Sequence, residues 1–226
     1  MNLLVLGKGK MGSLIIELAT ARGHAVRSHD EFDNSNGSML TPERLRDIDV
    51  VIDFTVPDAV VPNVEAVARA RRNIVVGTTG WYQHLPHLRQ VVEQSGIGFL
   101  YGANFSIGVN LFFEYARTVA GALQQGYSGS ISETHHIHKK DAPSGTAVKL
   151  QQVVAEAGGG QLPIASIREG EVFGIHQLRL ESAADVITLT HDAKSRQGFA
   201  EGALRAAEWL QGRHGFFDFK DWFHEV

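Results

Sequence analysis

Between Glu133 and Ala147 the chain reads Glu-Thr-His-His-Ile-His-Lys-Lys-Asp-Ala-Pro-Ser-Gly-Thr-Ala, with three histidines and two lysines in the six positions from His135 to Lys140. Imidazole is the side chain most easily poised for proton transfer near neutral pH. A neighbouring ammonium lowers its proton affinity and sharpens it as an acid. If the strand expected over Ser130–His135 persists, His135 and His136 point to opposite faces, so one can donate a proton while the other binds a carboxylate. Asp141-Ala142-Pro143-Ser144 forms a turn, and Asp141 or Ser144 can cap a helix over 145–157. Gly145 and Thr146 then lie in the first helical turn and offer N–H groups to an anion, beside the charges of Lys139 and Lys140. Two anion-binding elements so close together point to a substrate bearing carboxylates. Metal is not expected: adjacent histidines rarely aim at one ion, and the lysines repel cations. The competing reading is a solvated basic loop.

A second constellation is Gly7-Lys8-Gly9-Lys10-Met11-Gly12, directly after the apolar run Leu3-Leu4-Val5-Leu6 and before the helical pattern of Ser13 to Ala19. In a dinucleotide loop, Gly7 lets the chain turn off the strand, Gly9 lets backbone approach a pyrophosphate, and Gly12 permits close helix–strand packing. The helix N-terminus presents N–H groups to the phosphates. A structural turn is the alternative. Asp30 follows Gly12 by 18 positions, near the end of a second expected strand, Ala25 to Asp30. An acid there can bond the ribose hydroxyls of NAD and would repel a 2′-phosphate, a repulsion that Lys8, Lys10 and Arg27 can counter. It can equally be an exposed loop acid. NADH and NADPH both stay open as cofactor.

The elements that must position these groups follow from pattern. Strands are expected over 50–54, 74–76 and 98–101, each ending in small or polar residues, with a helix over 59–71. Ligands of open α/β sheets bind at such strand ends, where Gly77-Thr78-Thr79 can face a ribose or nicotinamide. A helix is expected from about Asn104 to Leu123. Gly174 to Leu180 and Asp185 to Thr190 alternate with period two, as half-buried strands do. Phe199 to Leu210 returns to helical spacing, and the aromatic stretch Phe216 to Phe223 is read as packing on the N-terminal part. The chain is therefore an α/β protein: an N-terminal Rossmann-type dinucleotide-binding domain over 1–103, completed by 198–226, and an α+β domain with a mixed sheet over 104–197.

Composition excludes several classes. A length of 226 residues, 43% hydrophobic and 20% charged, suits a globular core of one large or two small domains. No apolar run approaches the roughly 20 residues of a membrane helix. A formal charge of −4 gives no reason to expect nucleic acid. With no cysteine, disulfides, thiolate catalysis and thiolate zinc sites are out. A cytoplasmic location is expected, since Met1-Asn2 leads straight into a strand rather than a secretory pattern.

Several segments together resemble the dihydrodipicolinate reductases of bacterial lysine and diaminopimelate synthesis. They are the Gly-x-Gly-x-Met-Gly loop, Ile52-Asp53-Phe54-Thr55, Gly77-Thr78-Thr79-Gly80, Ala103-Asn104-Phe105-Ser106 and above all His135 to Ala147. The resemblance implies NAD(P)H-dependent reduction of a cyclic, unsaturated dicarboxylate, 4-hydroxy-tetrahydrodipicolinate, to tetrahydrodipicolinate. It implies His135 as proton donor, Lys139 as second acid or substrate-orienting cation, and His136, Gly145 and Thr146 as substrate-binding residues. Gly7, Lys8, Gly9, Lys10, Met11, Gly12, Asp30, Gly77, Thr78, Thr79, Gly102, Ala103, Asn104 and Phe105 would line the cofactor path, with Arg196 a weaker candidate. The sheet-based domain would bind substrate and form a homotetramer. The chain is shorter than many members between its second strand and Asp53, and carries His29-Asp30-Glu31 where many have a Glu-Arg or similar pair.

Overall fold

The computed structural model describes residues 1–30 and 34–225. The elements run β1 (Asn2–Leu6), α1 (Lys10–Ala21), β2 (Ala25–His29), β3 (Val50–Asp53), α2 (Pro57–Arg69), β4 (Asn73–Val76), α3 (Leu85–Ser95) and β5 (Gly98–Tyr101). They continue through α4 (Ile107–Val119), β6 (Ser128–His135), α5 (Gly145–Val154), β7 (Ile164–Arg168), β8 (Ile175–Glu181) and β9 (Val186–Asp192). The chain closes with α6 (Gln197–Leu210), β10 (Gly215–Asp218) and α7 (Phe219–Glu225). Two compact units result: Met1–Ile107 with Gln197–Val226, and Gly108–Arg196.

The first unit is a six-stranded sheet in the order β10-β5-β4-β3-β1-β2, parallel at every pairing. Its central strands are short apolar runs buried on both faces, as a parallel sheet requires. The period of two sends Leu4, Leu6, Val51, Ile74 and Val76 to a core with Val64 and Val67 of α2 and Leu88 of α3. It sends Leu3, Val5, Val50, Ile52 and Val75 to a core on the other face, with Ile15 of α1 and Ala203 and Ala207 of α6. The C-terminal aromatics pack as expected, but partly as a strand. β10 extends the sheet beside β5, with Phe216 stacked on Phe99 at 4.7 Å between centroids and Phe217 edge-on to Trp209 at 5.0 Å.

The second unit is a mixed sheet in the order β7-β6-β8-β9. β6 runs parallel to β7 and antiparallel to β8, and β8 antiparallel to β9. Ile131, Leu178 and Leu180 on one face pack against Phe112 and Ala116 of α4 and Ala147, Leu150 and Val154 of α5. Helix α5 stops at Val154 rather than Ala157, and a π-type turn follows in which Gly158 takes a φ of 88°. Among the described residues no helix is long and apolar enough to cross a membrane.

Candidate active site

In the first unit the glycine loop joins β1 to α1. Gly7 has a φ of +87°, and a Cβ there would collide with the Phe54 carbonyl. A Cβ on Gly12 would overlap the Gly7 carbonyl oxygen, so α1 can lie this close to the turn only with hydrogen at that position. Gly9 caps α1 and faces open space. Three adjoining cavities run along the strand ends. One of about 200 Å³ is lined by His29, Asp30, Asn34 and Asp58 among others. The next, about 310 Å³, holds Gly7, Lys8, Gly9 and Asp30. The third, about 500 Å³, holds Lys10, Met11, Gly77, Thr78 and Thr79. Thr55 lines all three, so they form one groove. It suits a dinucleotide laid across the loop, with its pyrophosphate at the α1 N-terminus.

Beneath the groove sits a buried carboxylate that the sequence reading did not single out as functional. Asp53 is fully enclosed. Its Oδ1 accepts from Thr55 N–H at 3.0 Å, Thr55 Oγ1 at 2.6 Å and Thr78 Oγ1 at 3.1 Å, and its Oδ2 from Asn63 Nδ2 at 2.9 Å. Asn63 Oδ1 accepts in turn from Asn34 Nδ2 at 2.9 Å. Burial pushes the Asp53 carboxyl up, against these hydrogen bonds. The network ties the loops after β3 and β4 to α2.

Not every expected cofactor residue lines the groove. Gly102 and Phe105 are buried, with Phe105 packed on Phe219 at 4.7 Å between centroids. Ala103 is exposed, and the Asn104 side chain accepts from Ser106 N–H at 2.8 Å. Arg27 is engaged by Asp47 at 2.5 Å. Glu31 lies outside the described residues.

In the second unit, β6 places Ile131, Glu133 and His135 on the inward face, and β8 places His176 there in register with Glu133. The apolar stripe of that face thus ends in a polar cluster. His135 Nδ1 bonds Glu133 Oε2. Glu133 Oε1 pairs with Arg168 Nη1 at 3.0 Å and accepts from Ser144 N–H at 3.3 Å. The His176 ring stands edge-on to His135 at 5.1 Å, and its Nε2 meets Ser144 Oγ at 3.1 Å. Ser144 is the cap of α5, its Oγ accepting from Ala147 N–H at 3.2 Å. The first-turn amides of Gly145 and Thr146 lie one and two positions on.

Burial pulls the His135 pKa down, Glu133 pulls it up, and Lys139 and Arg168 push it down again, for a net lowering. Burial, with the nearby His135, depresses His176 to about 4. Lys139 Nζ bonds Asp141 Oδ1 at 2.8 Å. His136 follows the end of β6, is half-buried, and donates its backbone N–H to the Val172 carbonyl at 2.7 Å. Glu133, His135 and His176 bring potential ligand atoms within 4.8 Å of one another, but the Arg168 guanidinium already occupies the carboxylate and Lys139 adds a second cation. Glu133, Arg168 and His176 join the cluster without having been expected there from the sequence. A signal existed for two of them: Glu133 is in phase with Ile131, and His176 with Leu178 and Leu180.

A parallel sheet with a glycine loop at its strand ends, and a second sheet carrying an acid–base cluster beside a helix N-terminus, define a nicotinamide-dependent oxidoreductase of two domains. Comparison with known proteins narrows the class. The profile of the dihydrodipicolinate reductase N-terminus matches residues 1–105, and that of the dihydrodipicolinate reductase C-terminus matches residues 108–223. The chain belongs to the dihydrodipicolinate reductase family. The 4-hydroxy-tetrahydrodipicolinate reductase of Christiangramia forsetii is 40% identical over 98% of this chain and 97% of its own. That of Laribacter hongkongensis is 38% identical over 76% of this chain and 72% of its own. Among solved structures, the dipicolinate-bound dihydrodipicolinate reductase of Paenisporosarcina sp. TG-14 has the same fold, with a TM-score of 0.80 at 24% identity, covering 98% of this chain and 99% of that one.

Proposed function

We propose that this chain reduces 4-hydroxy-tetrahydrodipicolinate to tetrahydrodipicolinate with NAD(P)H, a step of lysine and diaminopimelate synthesis. The observation that carries the reading is the inward cluster of His135, Glu133 and Arg168 beside the Ser144-capped start of α5. A cyclic dicarboxylate meets there both a proton source and an anion site. The dinucleotide, when bound, supplies the hydride. Gly7 to Gly12 would hold its pyrophosphate, and Asp30, Gly77, Thr78 and Thr79 its ribose and nicotinamide ends; Gly102, Ala103, Asn104 and Phe105, outside the lining of that groove, would act at most as support behind it. The amides of Gly145 and Thr146, with His136, would hold a substrate carboxylate. Lys139 would orient the ring and offset negative charge developing on it. His135 would deliver a proton to the carbon left electron-rich by hydride addition.

Turnover tests the roles. His135→Gln or Lys139→Met should lower kcat by about 10²–10⁴-fold, the contribution of a positioned acid, with cofactor affinity near wild type. Normal turnover in both variants would refute the assignment. NADH should be preferred over NADPH. Asp30 and Asp58 line the expected adenosine end, no described residue lining that cavity is Lys or Arg, and Arg27 is engaged by Asp47. Steady-state kcat/KM with both cofactors measures this. A homotetramer fits the outer face of the second sheet, where Ile167 and Val186 are 47% and 46% exposed. Light scattering of the purified chain tests it. A cytoplasmic location goes with the biosynthetic role.

A further inference from the structure

We propose that Glu133 is a positioning residue for this reaction: it holds the His135 ring by Nδ1, so that Nε2 is the nitrogen that carries the transferred proton. The inference rests on the reading of His135 as the acid.

Glu133 cannot itself reach a ligand. It is fully buried, with His135 on one oxygen and Arg168 and the Ser144 amide on the other. Burial alone would raise its pKa, yet hydrogen bonds from Ser166, Arg168 and His135 hold the carboxyl below its ordinary value. It is therefore an ionised acceptor throughout the working range. An imidazole nitrogen facing such an acceptor must keep its hydrogen. His135 then carries Nδ1–H whether the ring is neutral or charged, and every proton it gains or loses passes through Nε2. That nitrogen lies against Gly174, where any side chain would crowd it. A Cβ on Gly174 would stand 2.9 Å from Nε2, and glycine has none.

The groups facing His135 divide by sign. Glu133 on its own strand favours the imidazolium, while Lys139 in the following loop and Arg168 on β7 oppose it. His176 on β8 stays neutral above about pH 4. With Ser144 Oγ already accepting from Ala147 N–H, the serine hydroxyl is free to donate to His176 Nε2. Glu133 is thus the one group of the four whose charge stabilises the protonated acid, and its loss leaves only downward influences on the His135 pKa.

The test reads the ring directly and the reaction separately. In the wild-type apoenzyme, long-range ¹⁵N–¹H NMR of His135 at high pH should show Nδ1 protonated and Nε2 bare. Glu133→Gln should lower the His135 pKa by about 1–3 units and move the alkaline limb of the kcat profile down equally. Turnover at neutral pH should fall about 10–10³-fold, while KM for NADH stays within about twofold. Arg168→Gln, which removes an opposing cation, should move pKa and limb upward. A wild-type Nε2–H tautomer, or a His135 pKa indifferent to both substitutions, overturns the inference. Should the NMR pKa shift while the pH–rate limb stays fixed, the assignment of His135 as the acid fails, and with it any bearing of Glu133 on turnover.

Discussion

His176 makes a quantitative claim about acid stability. The residue is 4% exposed and its pKa is depressed to about 4, chiefly by burial. In the unfolded chain a histidine titrates near 6.5. Between these values the unfolded state binds a proton that the folded state refuses, so stability falls as pH drops through the window from about 6.5 to about 4. Above 6.5 neither state is protonated and the group contributes nothing. A difference of about 2.5 units at 1.36 kcal/mol each amounts to about 3 kcal/mol, fully lost only below about pH 4. At pH 5 the loss should be about 2 kcal/mol, or roughly 1 M in urea midpoint for a slope of about 2 kcal/mol/M. His176→Gln keeps a polar group within reach of Ser144 but does not titrate. Urea unfolding of wild type and variant at pH 7.5 and pH 5 isolates the effect, because carboxylates that titrate near pH 4 are common to both proteins. The wild type should lose about 2 kcal/mol more than the variant on acidification. Identical pH dependence in the two would refute the claim that His176 is buried neutral.

Two further outcomes test the first unit. Gly12→Ala places a methyl group into the Gly7 carbonyl; the overpacking should cost about 1–3 kcal/mol and weaken NADH binding in a fluorescence titration, with normal binding counting against the groove. Asp53→Asn turns an acceptor for Asn63 Nδ2 into a donor or unseats one of the threonine bonds, which should cost about 1–3 kcal/mol in thermal or urea unfolding and raise KM for the cofactor more than it changes kcat.

What was legible in the sequence was whatever depends on local pattern. The glycine loop stands between an apolar run and a helical one, so its place was readable without any tertiary contact. The same holds for the alternation of β8 and β9 and for the Ser144 turn. Elements defined by distant partners were not readable. Gly215-Phe216-Phe217-Asp218 becomes a strand because it pairs with Gly98 to Tyr101, and nothing in four residues announces that. β7 has an exposed middle, and its Arg168 matters only through register with His135. Asp53 reads from the sequence as one residue of an apolar strand over 50–54. Its enclosure depends on Asn63 from α2 and Thr78 from the next strand end.

The polar cluster of the second unit and its apolar core are consequences of one alternation. Ile131 and Leu178 face the helices, and the next inward positions on the same strands are Glu133 and His176. A sheet that continued its apolar stripe would be more stable at that end, since each buried polar group gives up its hydration. Here part of the cost is offset by pairing: Glu133 is engaged by Arg168, His135 and the Ser144 amide, and His176 Nε2 by the cap of α5, while His176 Nδ1 is buried with no partner among the described residues. Burial that would be a defect in a structural sheet lowers the His135 pKa below its solution value. If His135 is the acid proposed above, its weakened hold on the proton, beside a carboxylate that keeps the charged form within reach, suits it to protonate an electron-rich carbon. The Gly145 and Thr146 amides follow the same serine by one and two residues, so the proposed acid and the proposed anion site share a single anchor. Ser144→Ala should accordingly disturb both, lowering kcat and raising substrate KM together, whereas Glu133→Gln should act on kcat alone.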